Sequence, residues 1–118
     1  MSVFDYARTQ KKADNLIRRF GGPGLLRRVG SDDRGCTCVV IEYTPREAGL
    51  VNDGSRRALV SALDPTTRAP LAEPPDHELD LLIFAGEVLR IVAPDTGPRP
   101  SGTVVFHDLE VRYDSRDV

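Results

Sequence analysis

Residues 79–113 read Leu-Asp-Leu-Leu-Ile-Phe-Ala-Gly-Glu-Val-Leu-Arg-Ile-Val-Ala-Pro-Asp-Thr-Gly-Pro-Arg-Pro-Ser-Gly-Thr-Val-Val-Phe-His-Asp-Leu-Glu-Val-Arg-Tyr, and this stretch decides the fold. The mostly apolar segments 79–84 and 87–93 are separated by Ala85-Gly86, which predicts a hairpin. Residues 103–113 then alternate between apolar and polar side chains at the period of a strand. The C-terminal part of the chain is therefore predicted to be a β-meander.

The stretches upstream add further short strands. Residues 25–29, 36–43 and 57–62 are rich in β-branched and other apolar side chains and are separated by turn sequences. No alternation of strands with helices follows them. About six short strands at close spacing predict a mainly β fold, a small antiparallel β-barrel or sandwich spanning residues 25–113. At 118 residues, we expect a single domain, residues 1–118.

An N-terminal helix is predicted for residues 3–20. Ser2 is a suitable N-cap, and the glycines from Gly21 onwards stop the helix. The pattern places one apolar stripe against the barrel and the basic residues on the other side. The members of that stripe are Phe4, Ala7, Ala13, Leu16, Ile17 and Phe20. It is thin between Ala7 and Ala13, so the first half of the helix is a candidate for docking on a partner.

Charge is distributed unevenly along the chain. Residues 1–28 hold seven basic and two acidic side chains, while the remaining ninety residues hold nine basic and sixteen acidic ones. Such an asymmetry indicates either an arm that meets an acidic partner, including another copy of this chain, or a solvated helix face. DNA phosphates are a further candidate for the basic residues 8–28, but few aromatic side chains accompany them for base stacking.

Two long segments are rich in proline and are predicted to be loops. Residues 64–78 contain four prolines, and residues 94–102 contain three. A loop of this length within a small domain is usually functional or mobile. Acidic side chains gather in or beside the first loop, where they indicate a solvated surface that meets a basic neighbour; they are Glu73, Asp76, Glu78 and Asp80.

Candidate catalytic and metal-binding residues are few. Cys36 and Cys38 would share one face of a strand, and with His77 and His107 they could make up a Cys2His2 zinc set. A strand does not aim both sulfurs at one ion, and the two are too far apart for an unstrained disulfide, so small buried hydrophobic residues are the better interpretation. We expect no metal and no cofactor.

The geometry of a strand also argues against His107 and Asp108 as the catalytic pair of a hydrolase. Adjacent residues of a strand point to opposite faces, so Asp108 cannot orient His107 unless a bulge intervenes, and a bulge or an edge position is the alternative interpretation. The glycine-rich segment 21–24 follows a helix, the reverse of the order in a phosphate-binding loop. The carboxylates near residue 78 lack the glycine-centred ligand loop of a calcium site. We therefore expect no catalytic residue and no enzyme.

The sequence predicts neither a membrane span nor a signal peptide. The longest apolar run, Leu81–Ala85, is far too short to span a bilayer, and the first residues do not resemble a signal peptide. Two cysteines in such a chain suggest synthesis in a reducing cytoplasm. We expect no membrane partner.

With these residues in view, the chain resembles the small head-closure proteins (head–tail connectors, or stoppers) in the neck of tailed bacteriophages and prophages. The resemblance covers most of the length and consists of strand and turn patterns. It lies in Ala13-Asp14-Asn15-Leu16-Ile17-Arg18-Arg19-Phe20-Gly21, in 25–29, 38–43 and 53–62, and in Leu82–Val92, 100–106 and 109–112. The chain departs from the pattern at Glu78-Leu79-Asp80, where a Pro-Gly-Asp-like turn is expected, and in the loop 64–78.

The resemblance implies a structural protein of the virion neck, assembled in the bacterial host cytoplasm. Such proteins form a homo-oligomeric ring, a dodecamer, below the portal and adaptor; the ring seals the packaged DNA and docks the tail terminator or tail tube. Non-specific contact with packaged double-stranded DNA is also implied. The parts expected to act are the helix 3–20 and the loops 64–78 and 94–102. The predicted interface residues are Phe4, Arg8, Lys11, Lys12, Arg18, Arg19, Glu73, Asp76, Glu78 and Arg99.

Two alternatives remain open. A tail-completion or tail-terminator protein belongs to the same structural class. A small nucleic-acid-binding β-barrel is a different class, and affinity for DNA with a strong dependence on salt concentration would distinguish it.

Overall fold

A computed structural model describes residues 6–42 and 56–113 of the chain, which form a closed six-stranded antiparallel barrel with one N-terminal helix. The predicted mainly β fold with an N-terminal helix is confirmed. The strands follow the order β1-β2-β3-β6-β5-β4, and β4 closes the barrel by pairing with β1. The elements are α1 (Tyr6–Phe20), β1 (Gly22–Arg28), β2 (Arg34–Glu42), β3 (Arg56–Ser61), β4 (Asp80–Phe84), β5 (Glu87–Ile91), a 3-10 turn (Pro100–Gly102) and β6 (Phe106–Tyr113).

Alternation along the strands fills the barrel interior. Every second side chain points inward, and ten of these form one buried cluster: Leu26, Cys36, Cys38, Ala58, Val60, Leu82, Leu89, Ile91, Leu109 and Val111. Gly24 also faces inward, where a Cβ would press against the Cys38 sulfur. A small residue is needed at that point because the bore of a six-stranded barrel is narrow.

Both cysteines are buried in this interior and neither forms a disulfide. The hydrogen bond with Cys36, together with burial, raises the pKa of the Cys38 thiol. The interpretation of the two cysteines as small buried residues is therefore confirmed.

The topology brings three connections to the same end of the barrel. These are the β1–β2 turn (29–33), the β3–β4 loop (62–79) and the β5–β6 loop (92–105), and we call this end the loop end. Both proline-rich segments predicted from the sequence therefore lie side by side. The opposite end holds the predicted tight turn Ala85-Gly86, in which both residues have positive φ.

Helix α1 packs on the outer surface of the barrel, mainly over β2 and β3. Its contact covers Thr37 and Ser61, which point outward and would otherwise be exposed. The buried side chains of the helix are Gln10, Asp14 and Ile17, at positions i, i+4 and i+7.

The predicted apolar stripe of this helix is wrong for most of its described members. Leu16 is 55% exposed, Phe20 is 70% exposed, and Ala7 is exposed as well. Two polar residues, Gln10 and Asp14, occupy the buried face instead, because each finds a hydrogen-bond partner in the barrel or its loops. Among the described residues, no helix is long and apolar enough to cross a membrane.

Strand limits differ from the prediction at both ends of the chain. The helix ends at Phe20 as expected, but β1 begins at Gly22, so the glycine-rich segment is mostly strand and not only a helix stop. A Cβ on Gly21 would overlap the carbonyl oxygen of Cys38, which shows how closely the chain crosses β2 here. The predicted strand 103–113 begins at Phe106, because residues 100–102 form a 3-10 turn and the backbone N–H groups of Thr103 and Val105 bond within the loop, to the carbonyls of Pro100 and Pro98.

Some predictions lie outside the described residues. They concern the Ser2 cap, the start of the helix at residue 3, Phe4, the connection 45–54 and the tail 114–118.

Candidate functional site

The loop end is built around buried carboxylates that fasten the loops to the barrel. Asp80, the first residue of β4, has no exposed side-chain surface and is bound by two arginines. Arg28 donates to both of its oxygens at 2.9 and 3.0 Å, and the Arg34 guanidinium lies 2.7 Å away. Burial alone would raise the pKa of Asp80, but these arginines and the backbone N–H of Asp76 lower it. The Asp80 carboxylate therefore ties the end of the β3–β4 loop to β1 and β2.

Glu73 joins the same cluster from the middle of the loop. Its carboxylate accepts from Arg28 at 3.0 Å, and its backbone carbonyl accepts from Arg34 at 2.7 Å. The basic neighbour expected for this acidic segment is thus supplied, for Glu73 and Asp80, by the chain itself.

The other two acidic residues of this segment behave differently. Asp76 accepts from the backbone N–H groups of Glu78 and Leu79 and so shapes the turn before β4. The side chain of Glu78 is 77% exposed and lies 3.7 Å from His77. Of the predicted acidic interface residues, Glu78 is therefore the one whose carboxylate projects most freely into solvent.

The β5–β6 loop is fastened by Asp95. One carboxylate oxygen accepts from the backbone N–H groups of Gly97 and Asp108, and the other contacts His107 Nδ1 at 2.6 Å and Arg99 at 2.7 Å. Burial alone would raise the pKa of Asp95, but these hydrogen bonds, led by the one from His107, outweigh it and lower the pKa to about 2. Gly97 is buried in this turn, where a Cβ would overlap the carbonyl oxygen of Phe106.

His107 and Asp108 point in opposite directions, as the strand geometry predicted. His107 pairs in register with Val60 and faces the barrel interior, whereas Asp108 faces outward and binds Arg57. The regular pairing shows that His107 sits neither in a bulge nor at an edge, which corrects that interpretation. The partner that orients the imidazole is Asp95, twelve residues before His107. A motif of adjacent residues cannot identify a partner at that separation.

Each long loop is also bound to helix α1. Asp14 is fully buried and accepts hydrogen bonds from Ser61, from Arg18 and, at 2.7 Å, from Arg68 of the β3–β4 loop. Gln10, one turn earlier, donates its side-chain amide to the carbonyl of Val104 in the β5–β6 loop at 2.8 Å. The helix therefore holds both loops in place through two polar residues of its buried face.

A cleft of about 320 Å³ opens between the two loops. Its lining is largely apolar and includes Leu71 and Val104, with Gln10, Thr103 and His107 as the polar members. An imidazole oriented by a carboxylate is a base–orienter pair, but in residues 6–42 and 56–113 no nucleophilic side chain is seen bonded to it. Nor do three or more metal-ligating side chains come together in these ranges.

The predicted basic interface residues divide into two groups. Arg8, Lys11, Lys12 and Arg19 are exposed on the helix, and Arg19 lies over the Phe20 ring at 5.7 Å. Arg18 and Arg99 serve their own chain instead, since Arg18 binds Asp14 and Arg99 binds Asp95. Phe4 lies outside the described residues.

Sequence reasoning missed Gln10, Asp14, Ser61 and Asp95. A signal for the first two exists, because Gln10, Asp14 and Ile17 share one helix face at the 4/3 spacing. No local pattern marks Asp95, whose role depends on a residue across the loop.

Comparisons with protein-family models, with curated proteins and with solved structures found no match to this chain.

Proposed function

We propose that this protein is a structural component of a phage neck, a head-closure ring subunit that seals the DNA-filled capsid below the portal or adaptor and docks the tail. The observation that most supports the proposal is the loop end. Two long loops lie together there, and each is fastened to both the barrel and the helix. Such an end is suited to a docking face.

The physical reason is preorganisation. A loop that must become ordered on binding loses conformational entropy, which weakens the complex. Asp80 and Asp95 order these loops in the free subunit, so a partner meets a surface that is already shaped. A ring that must join two large assemblies benefits from faces of this kind.

The exposed face of helix α1 supports assembly into an oligomer. Helix α1 leaves Leu16 and Phe20 uncovered and surrounds them with basic side chains. Large apolar side chains left exposed beside charges are typical of protein–protein contacts.

The test is to make particles without this protein and examine them by negative-stain microscopy and sedimentation. We expect heads that package DNA, leak it and carry no tails. Normal tailed, DNA-filled particles would overturn the proposal. Tails of irregular length on intact heads would support the tail-terminator alternative instead.

A matched pair of variants tests the loop end itself. Ala72 and Ala85 are both exposed, one in the β3–β4 loop and the other in the β4–β5 turn at the opposite end. Supplied to deficient particles, Ala72→Arg should restore fewer tailed particles than Ala85→Arg. Equal restoration by the two variants, both shown to be folded, would contradict a docking role for the loop end.

A nucleic-acid-binding barrel is the second candidate, and the exposed lysines favour it. No hydrogen bond or ion pair involves Lys11 or Lys12 in the described part of the chain, so both are available to phosphates. This function predicts that the isolated protein binds DNA with an affinity that falls steeply with salt, by roughly one power of the salt concentration per phosphate contacted. The neck function predicts little binding of this kind.

A further inference from the structure

One side of helix α1 forms a small apolar patch with a basic rim. Lys12, Leu16 and Phe20 follow each other at intervals of four residues, which places them in one line along the helix. Leu16 is 55% exposed and Phe20 is 70% exposed, while Arg19 lies over the Phe20 ring. We call Lys12, Leu16, Arg19 and Phe20 the helix patch.

A second apolar patch, with an acidic rim, lies at the loop end. Val29 is 99% exposed and Leu79 is 54% exposed, and each lies one residue beyond Arg28 and Asp80, the last registered pair of β1 and β4. Exposed carboxylates border this pair on both sides: Asp32 in the β1–β2 turn and Glu78 next to Leu79. We call Val29, Asp32, Glu78 and Leu79 the tip patch.

Both patches are apolar at the centre, and their rims carry opposite charges. Each has two uncovered apolar side chains, and the rim of one is basic where that of the other is acidic. Within the described residues, no ion pair involves Asp32, and Glu78 has one such contact, with His77 at 3.7 Å; neither carboxylate is bound by a lysine or arginine of its own subunit. Complementary rims of this kind set the register of a contact and suppress wrong pairings.

Other pairings are disfavoured by charge. Two helix patches brought together would oppose lysine to lysine, and two tip patches would oppose carboxylates. A third apolar row crosses the outer barrel wall at Leu25 and Ile83, but the exposed Arg90 borders it and would repel the basic helix. A like-charge contact at an interface is costly, so of these three surfaces the helix patch and the tip patch are the favoured pair.

We propose that the helix patch of one copy of this chain binds the tip patch of the next copy. Because the two patches lie on different surfaces of the subunit, the contact is heterologous and repeats head to tail. A rotation that closes produces a ring. The inference deepens the proposed function by naming the surfaces through which the ring assembles, and it rests on that function for the role of the ring.

The size of the patches sets the strength of the contact. Four apolar side chains bury far less than the roughly 1,200–2,000 Å² of a stable interface. A single contact is therefore weak, and the free subunit should be a monomer in dilute solution. Assembly then depends on ring closure, or on a platform that raises the local concentration of subunits.

The test is chemical cross-linking between single-cysteine surface variants. Leu16→Cys places a thiol in the helix patch and Val29→Cys places one in the tip patch, and both positions are exposed. The native Cys36 and Cys38 are buried and do not compete. Mixed in concentrated solution with a short bis-maleimide, these two variants should yield a dimer that contains one of each, and a protein with both substitutions should yield a ladder of oligomers.

A control variant makes the result specific. Ala85→Cys places an exposed thiol in the β4–β5 turn, at the opposite end of the barrel from the tip patch, without changing any charge. Paired with either patch variant, it should give at least about fivefold less dimer, as expected for a contact governed by complementary rims. Equal yields with the control, or dimers that form mainly between two copies of the same variant, would overturn the inference.

Charge reversal supplies a second, independent measurement. Lys12→Glu in the Leu16→Cys protein should reduce the mixed dimer, and Glu78→Lys in the Val29→Cys protein should restore it. Failure of the second change to restore the yield would also count against the pairing. Cross-linking is measured without particles, so this inference and the neck function fail separately: a correct ladder beside normal particles would leave the pairing intact and remove only the neck role.

Discussion

The two long loops are fastened to the same two parts of the molecule by different means. The β3–β4 loop is held by charged side chains, through Asp80 with Arg28 and Arg34 at the barrel, and through Arg68 with Asp14 at the helix. The β5–β6 loop relies more on the backbone, since Asp95 accepts two backbone N–H groups and Gln10 donates to a backbone carbonyl. The comparison teaches that similar order can be reached mainly with ion pairs between side chains or with a larger share of hydrogen bonds to backbone groups, and the two loops should respond differently to substitution, acid and salt.

Asp80→Asn should have the largest effect. It leaves Arg28 and Arg34 facing a neutral group in a buried site, and removing one partner of a buried ion pair costs about 3 kcal/mol or more. The measurement is the free energy of unfolding in urea. The matched control is Asp33→Asn, because Asp33 pairs with Arg27 on the surface and should contribute less than about 1 kcal/mol. Similar losses of unfolding free energy in the two variants would show that the buried cluster around Asp80 contributes no more than a surface ion pair.

Asp95→Asn should cost less, about 2 kcal/mol at neutral pH. Asparagine keeps an acceptor for the backbone N–H groups but loses the charge that faces His107 and Arg99. The estimate agrees with the lowering of the Asp95 pKa from 3.8 to about 2. That shift is equivalent to about 2 kcal/mol.

The same variant has a distinctive pH dependence. Because the folded state lowers the pKa of Asp95, its contribution is fully present above pH 3.8 and is lost as the pH falls towards about 2. The stability difference between the wild type and Asp95→Asn should therefore shrink between about pH 4 and pH 2. A difference that stays constant through this range would contradict the low pKa.

Arg68 tests whether the backbone of the β3–β4 loop is strained where it forms the ion pair with helix α1. Its φ of 65° lies in the left-handed region, which a non-glycine residue adopts at a cost. Both Arg68→Ala and Arg68→Gly remove the pair with Asp14, but only glycine relieves the backbone. We expect the glycine variant to be more stable than the alanine variant by about 1 kcal/mol in thermal or urea unfolding. Alanine equal to or better than glycine would exclude strain at this position.

Gln10→Ala should have the smallest effect, about 1 kcal/mol, because it removes one neutral hydrogen bond to Val104. Added salt should leave this loss unchanged while it weakens the partly exposed Arg68–Asp14 pair. The control is Lys11→Ala, an exposed neighbour expected to change stability very little. Equal salt sensitivity of the two helix anchors would break the distinction between the loops.

The barrel could be predicted from the sequence because its signals are local. Alternation in β3 and β6, and the Ala85-Gly86 turn, each depend on residues close together in the chain. The placement of Asp95 and Asp80 could not be predicted, because their partners lie across the fold. The exposure of Leu16 and Phe20 was not predicted for a related reason. Hydropathy favours burial of the apolar side chains of a helix, and Asp14 and Gln10 are buried instead only because they find hydrogen-bond partners elsewhere in the fold.

Gly21 and Gly97 have a consequence for how this protein can change over time. At both positions a single added carbon would overlap a backbone carbonyl oxygen, so no rearrangement of a flexible side chain can make room for it. Surface residues, including those of the two patches, are free to drift together with their partners. Distant relatives that keep this barrel should therefore be recognisable less by overall similarity than by two fixed glycines, one where the helix meets β1 and one in the turn that Asp95 holds.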